Sequence, residues 1–336
     1  MPNVRTAVIF FGVSLAVAFA VAPGQAWAWG KRAHAVINRT AIASLPGDGP
    51  VFLRKYMDYI GDTSTVPDTW RSVSEPFSKI QEDPNHGWFR EQFAFIDPIP
   101  RSRYEFILAL HREYLRIKDT DPETAQRTNV RWTGTLPYAA MESYGRLIAG
   151  MRLLRKAEAE GTDTRFLEQV CAFHVSQLGH YVGDGAQPLH GSIHSDGWRG
   201  DNPKGYTRDK AIHGRVESQF VDAIGLEDAR ILPHIPAVRR QQGDLFESVL
   251  TYLDESGSHV ETIYQLDQRS AFGNPQDEPA NALIVRQVAA GAAMLRDMVQ
   301  RAWVESGQVP REDLPNPLDP KNPAYNPETG SAPALR

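Results

Sequence analysis

At 336 residues and 41% hydrophobic content, the chain carries enough apolar material for one large buried core or two small ones. A net charge of −5 excludes the broadly basic footprint of a high-affinity duplex DNA binder, though not an enzyme whose metal ions meet a phosphate. A single cysteine, Cys171, excludes an intrachain disulfide framework, so stability must come from packing and any bound metal.

The chain opens like an export signal. Met1 to Arg5 carries positive charge, Thr6 to Ala22 is almost wholly apolar, and Ala26-Trp27-Ala28 fits a small-x-small cleavage pattern. The apolar run, about 17 residues, sits at the lower limit for spanning a bilayer and ends in Pro23-Gly24, which favours cleavage over a retained anchor. Residues 1–28 are therefore expected to be removed, leaving a periplasmic or secreted protein that begins at Trp29 and has no integral membrane segment.

Helical periodicity dominates from Lys31 onward. Apolar positions return at three- and four-residue steps over Lys31 to Leu45, Val51 to Tyr59, Tyr104 to Ile117, Tyr138 to Ala159 and Thr164 to Val182. The same spacing continues over Ala211 to Ile224, Val238 to Leu253 and Asn281 to Val304. Turn and cap residues precede several of these segments, as in Asp48-Gly49-Pro50, Gly161-Thr162-Asp163 and Pro279-Ala280-Asn281. Strand-type alternation is nearly absent, so the prediction is one all-α domain, a multi-helix bundle over residues 29–308. Cys171 falls in an apolar helical stretch and is expected to be inert. From residue 309 to 336 the sequence is studded with prolines, from Pro310 through Pro315, Pro317, Pro320, Pro323 and Pro327 to Pro333. With little apolar content between them, these residues predict an extended or disordered tail.

Between His180 and Glu217 the chain concentrates groups that bind metal. An α-helix advances about 100° and 1.5 Å per residue, so His180 and Asp184 share a face one turn apart, and His213 and Glu217 do the same. Imidazole nitrogen and carboxylate oxygen are common zinc donors. One such pair is as often an ion pair as a ligand pair, but two pairs with His190 between them point to a site for more than one metal ion. His111, His174, His234 and His259 have no comparable company.

The pattern His180-x3-Asp184-x5-His190, followed by His213-x3-Glu217, resembles the superfamily that joins zinc-dependent phospholipases C to single-strand-specific nucleases. The mature start Trp29-Gly30-Lys31-Arg32-Ala33-His34 is similar to that family's opening. The resemblance implies an all-α bundle and three zinc ions per chain. One ion would be held by His180, Asp184, an upstream Asp and an upstream His. A second would be held by His190, His213 and Glu217, and a third by the α-amine and carbonyl of Trp29 with His34, Asp184 bridging to it. Asp68, in Pro67-Asp68-Thr69-Trp70-Arg71, is the first choice for the upstream Asp, with Asp62 the alternative, and His86 is the upstream His. In this scheme Asp68 also orients or deprotonates the attacking water, and Arg71 either contacts a phosphate oxygen or forms a structural ion pair.

The implied activity is hydrolysis of a phosphodiester, with single-stranded nucleic acid or phospholipid as substrate and no stable protein partner. The Trp29 to His34 spacing and the Asp68-x-x-Arg71 pattern lean toward a nuclease, whereas Glu217 and the run to Asp222 lean toward a phospholipase C. Between Gly191 and Ile212, Trp198 and Tyr206 with Arg199, Lys204 and Arg208 suit base stacking and phosphate contact. The same aromatics would equally serve as buried anchors of an exposed loop, or meet a choline headgroup. His194 and Asp196 match no ligand position and are expected only to line the mouth of the site. A zinc-binding protein without catalysis remains the alternative of a different class.

Overall fold

The computed structural model describes residues 29–239, 243–310 and 313–335. Residues 1–28, the expected signal, lie outside the described residues. Seven helices of nine residues or more carry the fold: α1 (Lys31–Ala43), α2 (Arg103–Ile117), α3 (Leu136–Glu160), α4 (Arg165–Ala186), α5 (Leu245–Gly257), α6 (Val260–Gln268) and α7 (Glu278–Ser306). No strand occurs among the described residues beyond the isolated bridges Trp88 to Gly134 and Asn326 to Ser331. The protein is an all-α, multi-helix single domain. No described helix is long and apolar enough to cross a membrane.

The helix α4 is the axis of the molecule. Every residue from Val175 to Ala186 is buried, because α1, α3 and α7 pack around it and leave no face to solvent. One apolar cluster joins α3, α4, α5 and the second half of α7 through Leu147, Met151, Leu178, Leu253 and Leu295. A second joins α1, α6 and the first half of α7 through Ile37, Ile263 and Ile284, with Trp29 and Phe220. His34 of α1 and Asp184 of α4 meet where these two clusters adjoin. Cys171 is buried in the first cluster, and burial pushes its thiol up to about 12, consistent with an unreactive role.

Local chemistry explains most of the boundaries. Asp244 accepts from the N–H groups of Phe246 and Glu247 and starts α5, and Asp277 accepts from Ala280 N–H and starts α7. The predicted helix from Val238 therefore begins only at Leu245. Val51 to Tyr59 divides into a 3-10 helix (Val51–Tyr56) and an α-helix (Met57–Asp62). The predicted Ala211 to Ile224 helix forms as α-helical Ile212–Gly214, a π-helix over Arg215–Phe220, and α-helical Val221–Ala223. The short α6 follows α5 closely and has no proline to mark its start, which is why periodicity does not separate it.

The tail corrects the expectation drawn from its prolines. Residues 313–335 form successive turns rather than an extended length of chain. Ala332 N–H bonds Pro317 carbonyl at 2.7 Å, and Arg101 donates to the carbonyls of Ala334 and Leu335. Backbone hydrogen bonds and Arg101, which also pairs with Asp244, hold this segment where no apolar core is available.

Candidate metal centre

Five separate pieces of chain deliver the site. Asp68 lies in the short helix Val66–Thr69, His86 closes the 3-10 turn Asp83–His86, and His34 projects from the first turn of α1. His180 and Asp184 come from α4, which stops before Pro188. The 3-10 turn Pro188–Gly191 then turns His190 back into the site, its start capped by Gln187, whose side-chain oxygen accepts Leu189 N–H. His213 and Glu217 come from the composite helix that includes the π-helical stretch, a wide turn often found at functional sites.

These residues form three groups whose donor atoms lie within 4.8 Å of one another: His34, His180 and Asp184; Asp68, His86 and His180; and His190, His213 and Glu217. In the first, His34 Nε2 stands 3.2 Å from Asp184 Oδ1, and the His34 ring stacks on His180 with centroids 4.4 Å apart. In the second, His180 Nε2 is 3.1 Å from His86 Nδ1, and Asp68 Oδ1 is 3.7 Å from His86 Nδ1 and 3.8 Å from His180 Nε2. Asp184 Oδ2 lies 2.9 Å from His86 Nδ1, so its two oxygens face two groups. In the third, His213 Nε2 is 3.1 Å from His190 Nε2 and 2.8 Å from Glu217 Oε2.

The chemistry of these atoms fits a metal ion. Buried polar atoms are nearly always hydrogen-bonded. Yet both ring nitrogens of His34, Asp68 Oδ2, Asp184 Oδ1 and Glu217 Oε1 are buried with no hydrogen-bond partner. Cations shared among them would satisfy the carboxylate oxygens and one nitrogen of His34, whose Nε2 otherwise faces only Asp184 Oδ1, at 3.2 Å. The opposite ring nitrogens are already engaged where a ligand histidine needs support. His180 Nδ1 donates to Ser64 carbonyl at 2.9 Å, His190 Nδ1 to His86 carbonyl, and His213 Nδ1 to Ser195 carbonyl at 3.1 Å. Asp196, expected only at the mouth, lies 3.3 Å from His213 Nδ1.

Charge is arranged to match. Burial disfavours the ionised form of Asp184, but His180, His190, His34 and His86 outweigh it and hold the carboxyl well below the usual range. Burial raises Asp68 and lowers His180 well below an ordinary imidazole. At His213 burial is overcome by Glu217 and Asp196, which push the imidazole up to about 10.

The placement settles several alternatives. Asp68 joins a metal-capable group, whereas Asp62 is exposed beside Lys31 and Arg32 and joins none among the described residues. Trp29 is fully buried, and the next residue's N–H, that of Gly30, donates to Glu217 carbonyl at 3.1 Å. Trp198 and Tyr206 do not line the cleft over the groups. Trp198 stacks on His194 at 3.9 Å, and Tyr206 is buried against Tyr264 with its hydroxyl on Glu261, so both anchor the loop.

That cleft holds about 380 Å³ and is floored by His86, His190 and His213. Its walls carry Arg71, Arg131, Arg199 and Lys210 beside Phe89 and Trp132. Arg71 is gripped by Asp83 at 3.2 Å and Asp68 at 3.4 Å, an ion pair that still leaves its guanidinium at the cleft wall. Trp132 is exposed, with Arg199 over its ring at 5.7 Å. Sequence reasoning did not single out Phe89, Arg131, Trp132 or Lys210, which have no motif of their own.

Two outcomes are expected. A Cβ on Gly183 would lie 2.7 Å from His34 Nδ1, so Gly183→Ala should displace that ring and cost one divalent ion per chain by elemental analysis; an unchanged count would contradict the first group. Because His213 in the metal-free protein holds its proton up to about pH 10, zinc uptake should release protons and weaken about tenfold per unit of falling pH. Calorimetry in buffers of different ionisation enthalpy checks this, and an uptake heat independent of buffer would contradict it.

A scan of protein-family models finds no match to this chain and a search of curated proteins finds none, leaving the buried groups and the cleft as the grounds for assigning a function.

Proposed function

We propose that the chain is an exported zinc-dependent phosphodiester hydrolase that prefers single-stranded nucleic acid. The observation that carries this reading is the set of buried, unpartnered carboxylate oxygens of Asp68, Asp184 and Glu217, grouped with histidines of which His86, His190 and His213 line a cleft that carries four cationic side chains. Donor sets of imidazole nitrogen and carboxylate oxygen suit zinc, and three ions would be accommodated with His180, which has Nε2 alone to give, serving one of the two groups it borders. When bound, zinc supplies Lewis acidity that polarises a phosphoryl oxygen and acidifies water. Cleavage before Trp29 would add an α-amine, ordinarily near pKa 7.7–8.0, beside His34 as a further donor.

The chain's own residues then have distinct tasks. Asp68 Oδ2, buried without a partner, is poised to take a proton from water entering the second group. Arg71, oriented by Asp68 and Asp83, presents its guanidinium to a non-bridging phosphate oxygen. Arg199 and Lys210 form no ion pair among the described residues and lie where neighbouring phosphates would pass, and the partly exposed Trp132 ring would take a base once Arg199, which lies over it at 5.7 Å, swings to a phosphate.

Two other readings are weaker. A phospholipase C acting on phosphatidylcholine would have to place a quaternary ammonium in a cleft where three arginines and a lysine outnumber the two carboxylates, Asp83 and Asp196. A purely structural zinc site is closed by four protein donors, whereas His190, His213 and Glu217 supply three, and the two histidines border the open cleft.

Processed, zinc-loaded protein should cleave single-stranded DNA and RNA, lose that activity to a chelator and regain it with zinc. A fully loaded sample that cleaves neither nucleic acid nor a phosphatidylcholine analogue returns the protein to the non-catalytic class, and cleavage of the lipid alone selects the phospholipase. Stacking contributes about 1–3 kcal/mol per base, so Trp132→Ala should raise KM for single-stranded DNA about 5- to 150-fold with kcat and zinc content unchanged. A fall in kcat at constant KM would remove Trp132 from substrate binding.

A further inference from the structure

We infer that Glu82 is a positioning residue that fixes the tautomer of His86, so that this imidazole offers Nδ1, rather than Nε2, to the ion of its group. The inference rests on the metal-binding part of the reading above and is independent of the substrate. Of the four site imidazoles with a supported ring nitrogen, His180, His190 and His213 lean on backbone carbonyls through Nδ1 and turn Nε2 inward. His86 is reversed. Its Nδ1 faces Asp184 at 2.9 Å, His180 at 3.1 Å and Asp68 at 3.7 Å, and its Nε2 lies 3.2 Å from Glu82 Oε1.

Glu82 is buried, and its surroundings define its state. Tyr181 hydroxyl lies 2.7 Å from Oε1, and Asn85 Nδ2 donates to Oε2 at 3.0 Å. The Asn85 amide is oriented in turn, because its carbonyl oxygen accepts from Arg103 at 2.7 Å and from the Thr135 hydroxyl at 3.0 Å. Arg103 is anchored by both oxygens of Glu142. Glu82 thus has Tyr181, Asn85 and His86 around its two oxygens, which makes it the hydrogen-bond acceptor for all three. Both His86 nitrogens face a carboxylate, Asp184 at Nδ1 and Glu82 at Nε2; once a cation shares Asp184, only the Glu82 side still needs a proton, which places it on Nε2 and leaves the Nδ1 lone pair for the ion.

The backbone reinforces this orientation. Thr135 N–H bonds Pro84 carbonyl at 2.6 Å and Leu136 N–H bonds Gly87 carbonyl at 3.2 Å, clamping the His86 turn to the start of α3. The wall behind His86 is therefore a relay of fixed polar groups, running from Glu142 at the surface through Arg103, Asn85 and Glu82. None of Glu142, Arg103, Asn85 and Glu82 lines the cleft, and the relay meets it at His86.

The test uses the full processed protein in wild-type, Glu82→Gln and Tyr181→Phe forms, with zinc affinity measured by chelator competition. Supporting-partner substitutions typically cost about 10–100-fold in metal affinity, so Glu82→Gln should weaken one ion by that factor and leave two unchanged. Tyr181→Phe should weaken the same ion less. Nitrogen-15 spectra of the zinc-loaded wild type should show one site imidazole protonated at Nε2 and the others at Nδ1. A Glu82→Gln protein that retains all three ions at wild-type affinity, or spectra with no Nε2-protonated ligand imidazole, would overturn the inference while leaving the three-ion site standing. Wild-type protein that takes up no zinc would overturn both. Equal weakening of all three ions would show general loosening and likewise reject a role specific to His86.

Discussion

A carboxylate with no exposed atom, Asp184, sits among imidazoles drawn from α1, α4 and two 3-10 turns, and the rest of the site is built outward from it. A charge so deeply buried is costly unless opposite charge and hydrogen bonds surround it. Here the compensation comes from His34, His86, His180 and His190, whose own placement depends on the helices and turns that carry them. Any movement of α1 against α4 therefore reaches the electrostatics of the site directly. Gly183 makes that approach possible, because a side chain in its place would meet the His34 ring.

This arrangement couples metal binding to folding. Without a cation, several buried donors are left unsatisfied, each a free-energy cost to the native state. A bound ion removes that cost and adds its own linkage, so the holo protein should be the more stable form. The loops around Ser64 and Ser195 each give a backbone carbonyl to a site imidazole, His180 and His213 respectively. The cleft above is different in kind. Its cations and aromatics lie on the surface, where they can meet a flexible polyanion without disturbing the core.

Much of the centre was legible from spacing. The i, i+4 pairs His180 with Asp184 and His213 with Glu217 place donors on one helical face by geometry alone, although the second pair spans a π-helical stretch that no periodicity reveals. His190 was readable as the histidine between the two pairs, and the turn at Pro188–Gly191 is what brings it into the site. The family resemblance supplied His34, Asp68 and His86, which the structure brings to the same place. Glu82, Ser64 and the cleft residues Phe89, Arg131 and Trp132 were not legible, since each gains its role from a partner distant in sequence. Trp198 and Tyr206 show the opposite failure: an aromatic-rich loop looked like a stacking surface, but its rings are used to hold the loop down. The tail was misjudged because composition reports core-forming capacity and not backbone hydrogen bonds to a neighbouring arginine.

The most direct test of the proposed three-zinc centre is anomalous diffraction at the zinc edge from crystals of processed protein grown with zinc. The account predicts three peaks, one within each of the groups around His34 with Asp184, Asp68 with His86, and His213 with Glu217. Zinc peaks confined to surface histidines, with the buried groups empty, would contradict it.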